Sequence, residues 1–132
     1  SGRCGLGVIE AAKEKGPGFW AIGVDADQDY LGCADSNKPA PPSRVLTSMM
    51  KRVDNAVFAV CQDLSQGKFE SGPRTFSVRD NGVGLSPLKY TRDEIPADLL
   101  ARVEKLREMI AEGKVTPPSE VEALDSFAPP RL

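Results

Sequence analysis

A short apolar run, FWAIGVD at residues 19 to 25, constrains the fold of this chain more than any other feature. It has the length of a β-strand rather than a helix. An unbroken apolar run is typical of a strand that is buried on both faces, as in a parallel sheet. The run ends at Asp25, and Asp27 and Asp29 follow at alternate positions. The sequence therefore predicts a buried strand that carries an acid at its carboxyl end.

Helical and strand-like segments alternate around this strand. A glycine-rich turn, GRCGLG, opens the chain and leads into a helix that ends at Gly16. The predicted apolar face of this helix consists of Val8, Ile9 and Ala12. Such a turn normally follows a strand, and no strand precedes it in this sequence. The chain is therefore interpreted as a piece of a larger fold.

The segment from Arg44 to Gly67 is predicted to pass from strand to helix. Val45 and Leu46 are strand-like, and an apolar stripe at helical spacing follows them. This stripe, with its methionine and phenylalanine neighbours, is predicted to face the core. Its members are Met50, Val53, Val57, Val60 and Leu64.

Two further segments complete the alternation. Residues 76–85, FSVRDNGVGL, predict two short strands around a turn at Asn81-Gly82. Residues 95–113 predict a helix with Pro96 in its first turn and Gly113 at its end. Residues 114–132 are rich in proline and are predicted to be extended or partly disordered. The fold class is therefore predicted to be α/β.

Composition argues against several classes of site. Seventeen basic and nineteen acidic residues leave a net charge of −2, which does not suit a protein that follows the phosphates of a nucleic acid. The chain has no histidine, and Cys4, Cys33 and Cys61 form no CxxC pair. A zinc site and a Cys-His nucleophile are therefore not expected. The cysteines are interpreted as small buried or loop side chains.

The three alternating acids allow three interpretations. An EF-hand calcium loop needs glycine at its sixth position and an acid at its twelfth, where this chain has Tyr30 and Ser36. A catalytic pair needs a second carboxylate in a different environment, and none is evident. Ligands of open α/β sheets bind beyond the carboxyl ends of strands. Asp25 is therefore the candidate ligand residue, with a turn-capping acid as the alternative, and Asp27 and Asp29 are interpreted as solvated loop acids.

Four motifs occur in an order that resembles the basic membrane protein family: CGLGVIEAAKEKG, WAIGVDADQ, VLTSMMKRVDNAV and NGVGL. This family comprises substrate-binding lipoproteins of bacterial ABC importers, and purine nucleoside receptors are its best-known type. The resemblance extends from about Gly2 to Pro118. It implies a type I periplasmic-binding-protein fold, in which two α/β lobes joined by a hinge close over a ligand. This chain would be the C-terminal portion of that fold.

The resemblance also implies a division of the chain. Residues 1–70 would belong to the second, C-terminal lobe, residues 71–118 would form a hinge crossing and a helix returning to the first lobe, and residues 119–132 would be a tail. The first lobe would lie upstream. The intact protein would be exported, either lipid-anchored or periplasmic, and would deliver its ligand to the membrane subunits of an importer.

Three ligand contacts follow from the resemblance. In nucleoside-binding members, an acid at the end of the GVD strand and a lysine of the TSMxK segment bind the ribose hydroxyls, and these positions are Asp25 and Lys51. A glycine at the start of the glycine-rich turn contacts the ligand through its backbone, and Gly2 matches it. Arg3 and Cys4 depart from the usual turn of the family, which puts this contact in question.

The sequence thus predicts part of a non-enzymatic binding protein for a nucleoside, with a purine base expected and without a cofactor or metal. Three alternatives remain open. The protein could bind another small polar solute, it could process nucleosides with Asp25 as a base, or it could be a regulatory protein that has kept the fold without the ligand.

Overall fold

The computed structural model describes residues 4–132, which form an α/β arrangement of three helices and three strands. The helices are α1 (Gly5–Lys15), α2 (Val53–Ser65) and α3 (Ala97–Ala111), and the strands are β1 (Ala21–Asp25), β2 (Val45–Lys51) and β3 (Val83–Leu85). Short 3₁₀ turns lie at Asp29–Gly32, Arg92–Glu94 and Val121–Ala123. The predicted α/β class is confirmed. The last 3₁₀ turn lies in the proline-rich tail, which was predicted to be extended or partly disordered.

The strands form one mixed sheet in the order β1-β2-β3. β1 and β2 run parallel, with Asp25 beside Met50, and β3 runs antiparallel to β2, with Val83 beside Lys51. Parallel pairing brings the carboxyl ends of two strands to the same edge of a sheet. This edge therefore carries Asp25 at the end of β1 and Lys51 at the end of β2.

The apolar core is small and lies on one face of the sheet. Helix α1 covers this face, and Leu31 packs at the margin of the cluster. Two of the three residues predicted for the inner face of α1 are buried, but Val8 is exposed. The buried cluster consists of Ile9, Ala12, Ala21 and Val45.

The prediction that β1 is buried on both faces is wrong. Ala21 and Gly23 are buried, but Ile22 and Val24 are 55% and 46% exposed. Side chains alternate between the two faces of a strand, and α1 covers only one of these faces. The uncovered face continues across the sheet, since exposed Met49 pairs with Val24. Exposed Leu85 of β3 extends it further.

β2 is longer than predicted, and the helix that follows it, α2, begins later than predicted. Met50 was predicted to be helical but lies in β2, because this strand pairs on both sides up to Lys51. The prediction that the apolar stripe of α2 faces the core is also wrong. No residue of α2 is buried, and Phe58 is 70% exposed. The helical period was identified correctly, but the described residues provide no surface that covers the stripe.

Only half of the predicted hairpin at Asn81-Gly82 forms. A turn covers residues 78–81, with Asn81 at a φ of 53°, and leads into β3. The residues before the turn form no strand, because β3 pairs with β2 instead of with them. The helix α3 agrees closely with its prediction, since it starts directly after Pro96 and Gly113 follows its end with a φ of 76°.

The three cysteines are free thiols in different surroundings. Cys33 is fully buried directly after the 3₁₀ turn Asp29–Gly32, and this burial raises the pKa of its thiol. Cys4 and Cys61 are exposed. Among the described residues, no helix combines the length and the apolar character needed to cross a membrane.

Gly32 lies at the end of the 3₁₀ turn, where the turn packs closely against the start of β2. A Cβ atom at this position would lie 2.3 Å from the amide nitrogen of Val45. Relief of this contact requires a backbone shift, so we expect Gly32→Ala to lower the free energy of unfolding by about 1–3 kcal/mol. Denaturation of the intact protein in urea measures this change.

Gly7→Ala is the matched control for Gly32→Ala. Among the described residues, and apart from its chain neighbours and the backbone of its own helix, no atom lies within 4 Å of a Cβ at Gly7, which is an exposed position of α1. Because alanine favours the helix over glycine, we expect a gain of up to about 1 kcal/mol. Equal effects of the two substitutions would contradict the close packing at Gly32.

Candidate ligand-binding site

Two opposite charges meet where β1 and β2 end. The Oδ1 atom of Asp25 lies 2.8 Å from the Nζ atom of Lys51, and the two side chains are 64% and 58% exposed. Exposed ion pairs contribute about 0–1 kcal/mol to stability. The pair therefore adds little to folding, and both side chains remain accessible to a ligand.

Asp25 has an unusual backbone conformation, with a φ of 75°. This left-handed region costs a non-glycine residue about 1–2 kcal/mol. Residues with such strain cluster at ligand sites, where the surrounding structure holds them in place. The backbone of Asp25 therefore marks the end of β1 as a candidate site independently of its charge.

A cavity of about 170 Å³ lies beside Asp25, between the start of α1 and the end of β1. Val8, Ile22 and Val24 contribute apolar walls, and Asp25 and Gln28 contribute polar atoms. Small-molecule sites typically measure roughly 300–1,000 Å³. The cavity can therefore hold only part of such a ligand.

The predicted contact at Gly2 lies outside the described residues, and so does Arg3. Of the three predicted ligand contacts, the structure thus describes Asp25 and Lys51 and brings them together. Cys4, the other departure from the usual turn, is exposed directly before α1.

The prediction that Asp29 is a solvated loop acid is wrong, because its side chain is fully buried. Its two carboxylate oxygens accept hydrogen bonds from the hydroxyl groups of Ser48 and Ser86, each at 2.6 Å. The Ser43 hydroxyl donates to the backbone carbonyl of Asp29, also at 2.6 Å. Hydrogen bonds to a carboxylate are among the strong ones and compensate for the loss of water. Asp29 therefore joins its 3₁₀ turn to β2 and to the segment after β3.

The loop between Asp25 and Asp29 is held by two side chains. The Oδ1 atom of exposed Asp27 accepts the N–H of Asp29 at 3.0 Å, as is common in turns. Gln28 donates its backbone N–H to the Ser48 hydroxyl and accepts the N–H of Val24 at its Oε1, both at 3.0 Å. The Ser48 hydroxyl thus connects Gln28 to Asp29.

The three alternating acids therefore have different partners. Asp25 pairs with a lysine, Asp27 accepts a backbone N–H, and Asp29 accepts two serine hydroxyls. A calcium loop would direct all three carboxylates to one point. This divergence disfavours the calcium interpretation on geometric grounds.

One signal in the sequence could have revealed the burial of Asp29. Thr47 and Ser48 lie between the apolar residues of β2, and a hydroxyl that is buried there needs a hydrogen-bond partner. Spacing alone does not show which of the three acids is that partner. Gly23 is a second signal, because a Cβ at this position would lie 2.3 Å from the Ser48 hydroxyl oxygen.

Asp29→Asn tests the buried carboxylate. The substitution replaces one acceptor oxygen by an NH₂ group, so one serine hydroxyl loses its acceptor. We expect the free energy of unfolding to fall by about 1–3 kcal/mol, as measured by denaturation in urea.

Asp27→Asn is the matched control, because it keeps the Oδ1 acceptor for the Asp29 N–H on an exposed residue. Its expected effect lies within about 0.5 kcal/mol. If Asp29→Asn were as mild as this control, the buried carboxylate would not hold the loop.

The chain matches a family described as ABC transporter substrate-binding protein PnrA-like (Bmp), over residues 1–116. It is 33% identical to Basic membrane protein D of Borreliella burgdorferi (strain JD1), with 96% of this chain and 35% of that protein covered. It is 31% identical to the ABC transporter nucleoside-binding protein BmpA of Lactococcus lactis subsp. cremoris (strain MG1363), with 91% and 35% covered. The chain thus spans 35% of the length of each relative.

Two solved structures resemble the fold. The crystal structure of a transcriptional activator of the comK gene from Bacillus halodurans gives a TM-score of 0.67 at 26% identity, over 86% of this chain and 35% of that one. An ABC transporter solute-binding protein from Aeropyrum pernix K1 gives 0.59 at 24% identity, over 92% and 39%, a likeness of fold alone. The predicted fold, a portion of a binding protein, is therefore confirmed.

Proposed function

Because this chain belongs to the PnrA-like family of ABC transporter substrate-binding proteins, we propose that the complete protein is the substrate-binding component of a bacterial importer and that its ligand is a nucleoside, with a purine base expected. The family consists of substrate-binding proteins and not of enzymes. The relative from Lactococcus lactis, which is named as nucleoside-binding, supports this class of ligand.

The Asp25–Lys51 pair is the observation that carries the proposal. A ribose presents two adjacent hydroxyl groups. A carboxylate can accept both O–H groups, and an ammonium can donate to their oxygen atoms. The Asp25 Oδ1 and Lys51 Nζ atoms lie 2.8 Å apart, and both side chains are open to solvent. When a cleft closes and excludes water, the two charges compensate each other, which limits the cost of burying them.

The proposed roles of the chain segments follow the predicted division. Residues 1–70 provide one wall of the cleft, with Gly2 as a further backbone contact, residues 71–118 cross the hinge, and residues 119–132 form a tail. The other lobe supplies the surfaces that stack on the base. The apolar stripe of α2 and the uncovered face of the sheet are both exposed. Because large exposed apolar patches mark interaction surfaces, they support the proposal that another part of the complete protein packs against these two surfaces.

Lobe closure over the nucleoside then presents the protein to the membrane subunits of the importer. The protein acts outside the cytoplasmic membrane in this proposal, as an exported protein with a lipid anchor or in the periplasm. Its cargo leaves unchanged.

A regulatory protein is the second candidate, and the likeness to the comK activator favours it. A regulator of this fold would use its surface to bind a macromolecular partner. Retention of an accessible Asp25–Lys51 pair argues for a ligand site instead, because a surface pair with so small a contribution to stability has no evident structural role.

A thermal-shift screen of the complete protein tests the function. Selective binding to the folded state raises the melting temperature, and we expect a rise with purine nucleosides and not with free bases, sugars or vitamins. A rise with another solute alone would overturn the nucleoside assignment. No rise with any of these ligands would favour the regulatory candidate.

Asp25→Gly tests the proposed role of Asp25, because function and stability should move in opposite directions. We expect nucleoside affinity to fall by about 1–3 kcal/mol, the cost of unpaired polar partners. Glycine adopts a positive φ freely, so stability should hold or rise by up to about 1 kcal/mol. Calorimetric titration and denaturation in urea measure the two quantities.

Asn81→Gly is the matched control for Asp25→Gly, since Asn81 has a φ of 53° in a turn. Its backbone carbonyl, which accepts the Asn55 side-chain amide, is kept by glycine. This variant should retain full affinity. Unchanged affinity in Asp25→Gly would remove Asp25 from the site.

A further inference from the structure

The left-handed backbone of Asp25 requires an explanation from its neighbours. Asp25 is the last residue of β1, and its φ of 75° is unfavourable for any residue with a Cβ. Such a conformation persists only where surrounding bonds determine it. The bonds that hold it must act on the residues that flank it on either side.

Gln28 supplies such a bond. Its Oε1 atom accepts the N–H of Val24 at 3.0 Å, which closes a small loop, residues 24–28, around Asp25. The Val24 N–H therefore points to a side chain rather than to β2. β1 is an edge strand of the described sheet, so the amide of Gln28 takes the place of a strand partner at the point where the chain turns.

Gln28 is itself fixed to β2. Its backbone N–H donates to the Ser48 hydroxyl, which donates in turn to buried Asp29. Gly23 leaves room for this arrangement, because a Cβ there would lie 3.0 Å from the Cβ of Gln28. β2 also carries Lys51. The loop that presents Asp25 is therefore anchored to the strand that presents its partner.

We propose that Gln28 is a positioning residue of the ligand site, which holds the backbone of Asp25 so that its carboxylate meets Lys51 and the ligand together. Gln28 acts through the Val24 N–H and not by replacing Asp25 at the ligand. The inference rests on the proposed function for the identity of the ligand, but the backbone geometry that it explains does not depend on that function.

Gln28→Met tests the proposal, because methionine keeps the length of the side chain and removes the acceptor. Calorimetric titration of the complete protein with a purine nucleoside should show affinity about tenfold weaker, equivalent to one net hydrogen bond. Gln66→Met is the matched control. Its Oε1 accepts the Lys68 ammonium at 3.0 Å on the surface, and its loss should leave the affinity unchanged.

A second background separates positioning from direct contact. In Asp25→Gly no carboxylate remains to be positioned, so Gln28→Met should then change affinity by less than about twofold, because the effects of two residues that act as a unit are not additive. The same tenfold loss in both backgrounds would overturn the proposal, since Gln28 would then act on the ligand without Asp25.

A readout without ligand keeps this test distinct from the test of function. The Cα and Cβ chemical shifts of Asp25 in nuclear magnetic resonance report its backbone conformation. In Gln28→Met we expect them to move from left-handed towards extended values. Unchanged shifts would overturn the positioning role. Failure of the unsubstituted protein to bind any nucleoside would contradict the proposed function alone.

Discussion

The buried carboxylate of Asp29 is the contact on which the rest of this structure depends. The carboxylate accepts one hydrogen bond from a hydroxyl group of β2 and one from a hydroxyl group of the segment after β3. The backbone carbonyl of Asp29 accepts a third hydrogen bond, from the Ser43 hydroxyl. The apolar core is small, and much of the apolar surface of the strands and helices is exposed. The strong hydrogen bonds of this buried carboxylate therefore add to the stabilisation that the small core provides. They fix the position of the loop after β1 relative to β2.

Two acids four residues apart illustrate how environment separates a structural role, that of Asp29, from the proposed ligand-binding role of Asp25. Asp29 is fully buried, and each of its carboxylate oxygens accepts a hydrogen bond from a serine hydroxyl, so a ligand has no access to it. Asp25 is exposed, strained in its backbone and paired with a single lysine. Strain of about 1–3 kcal/mol at a functional residue is tolerated where the surrounding structure holds it. Here the Asp29 carboxylate accepts the Ser48 hydroxyl, which accepts the backbone N–H of Gln28. The Gln28 side chain in turn accepts the Val24 N–H and closes the loop around Asp25.

Local patterns in the sequence predicted the elements better than their burial. Asp25 was predicted at a strand end from its apolar run. Lys51 was assigned through the family resemblance, because Met50 was predicted to be helical and the end of β2 at Lys51 was not predicted. The exposure of Ile22, Val24 and the stripe of α2 could not be predicted from the sequence. An apolar pattern shows which face of an element can pack against other apolar residues, but it does not show whether those residues are present in this chain. Asp29 was assigned to solvent because its partners, Ser48 and Ser86, lie 19 and 57 residues away along the chain.

The central claim is that Asp25 and Lys51 recognise the two ribose hydroxyls of a nucleoside. The most direct measurement compares the affinity of the complete protein for a purine ribonucleoside and for its 2′,3′-dideoxy analogue by calorimetric titration. If the pair binds the hydroxyls, the analogue removes the hydrogen bonds that Asp25 and Lys51 make to the ribose in a closed cleft, and its affinity should be weaker by at least about tenfold. Equal affinities for the two ligands would contradict the account.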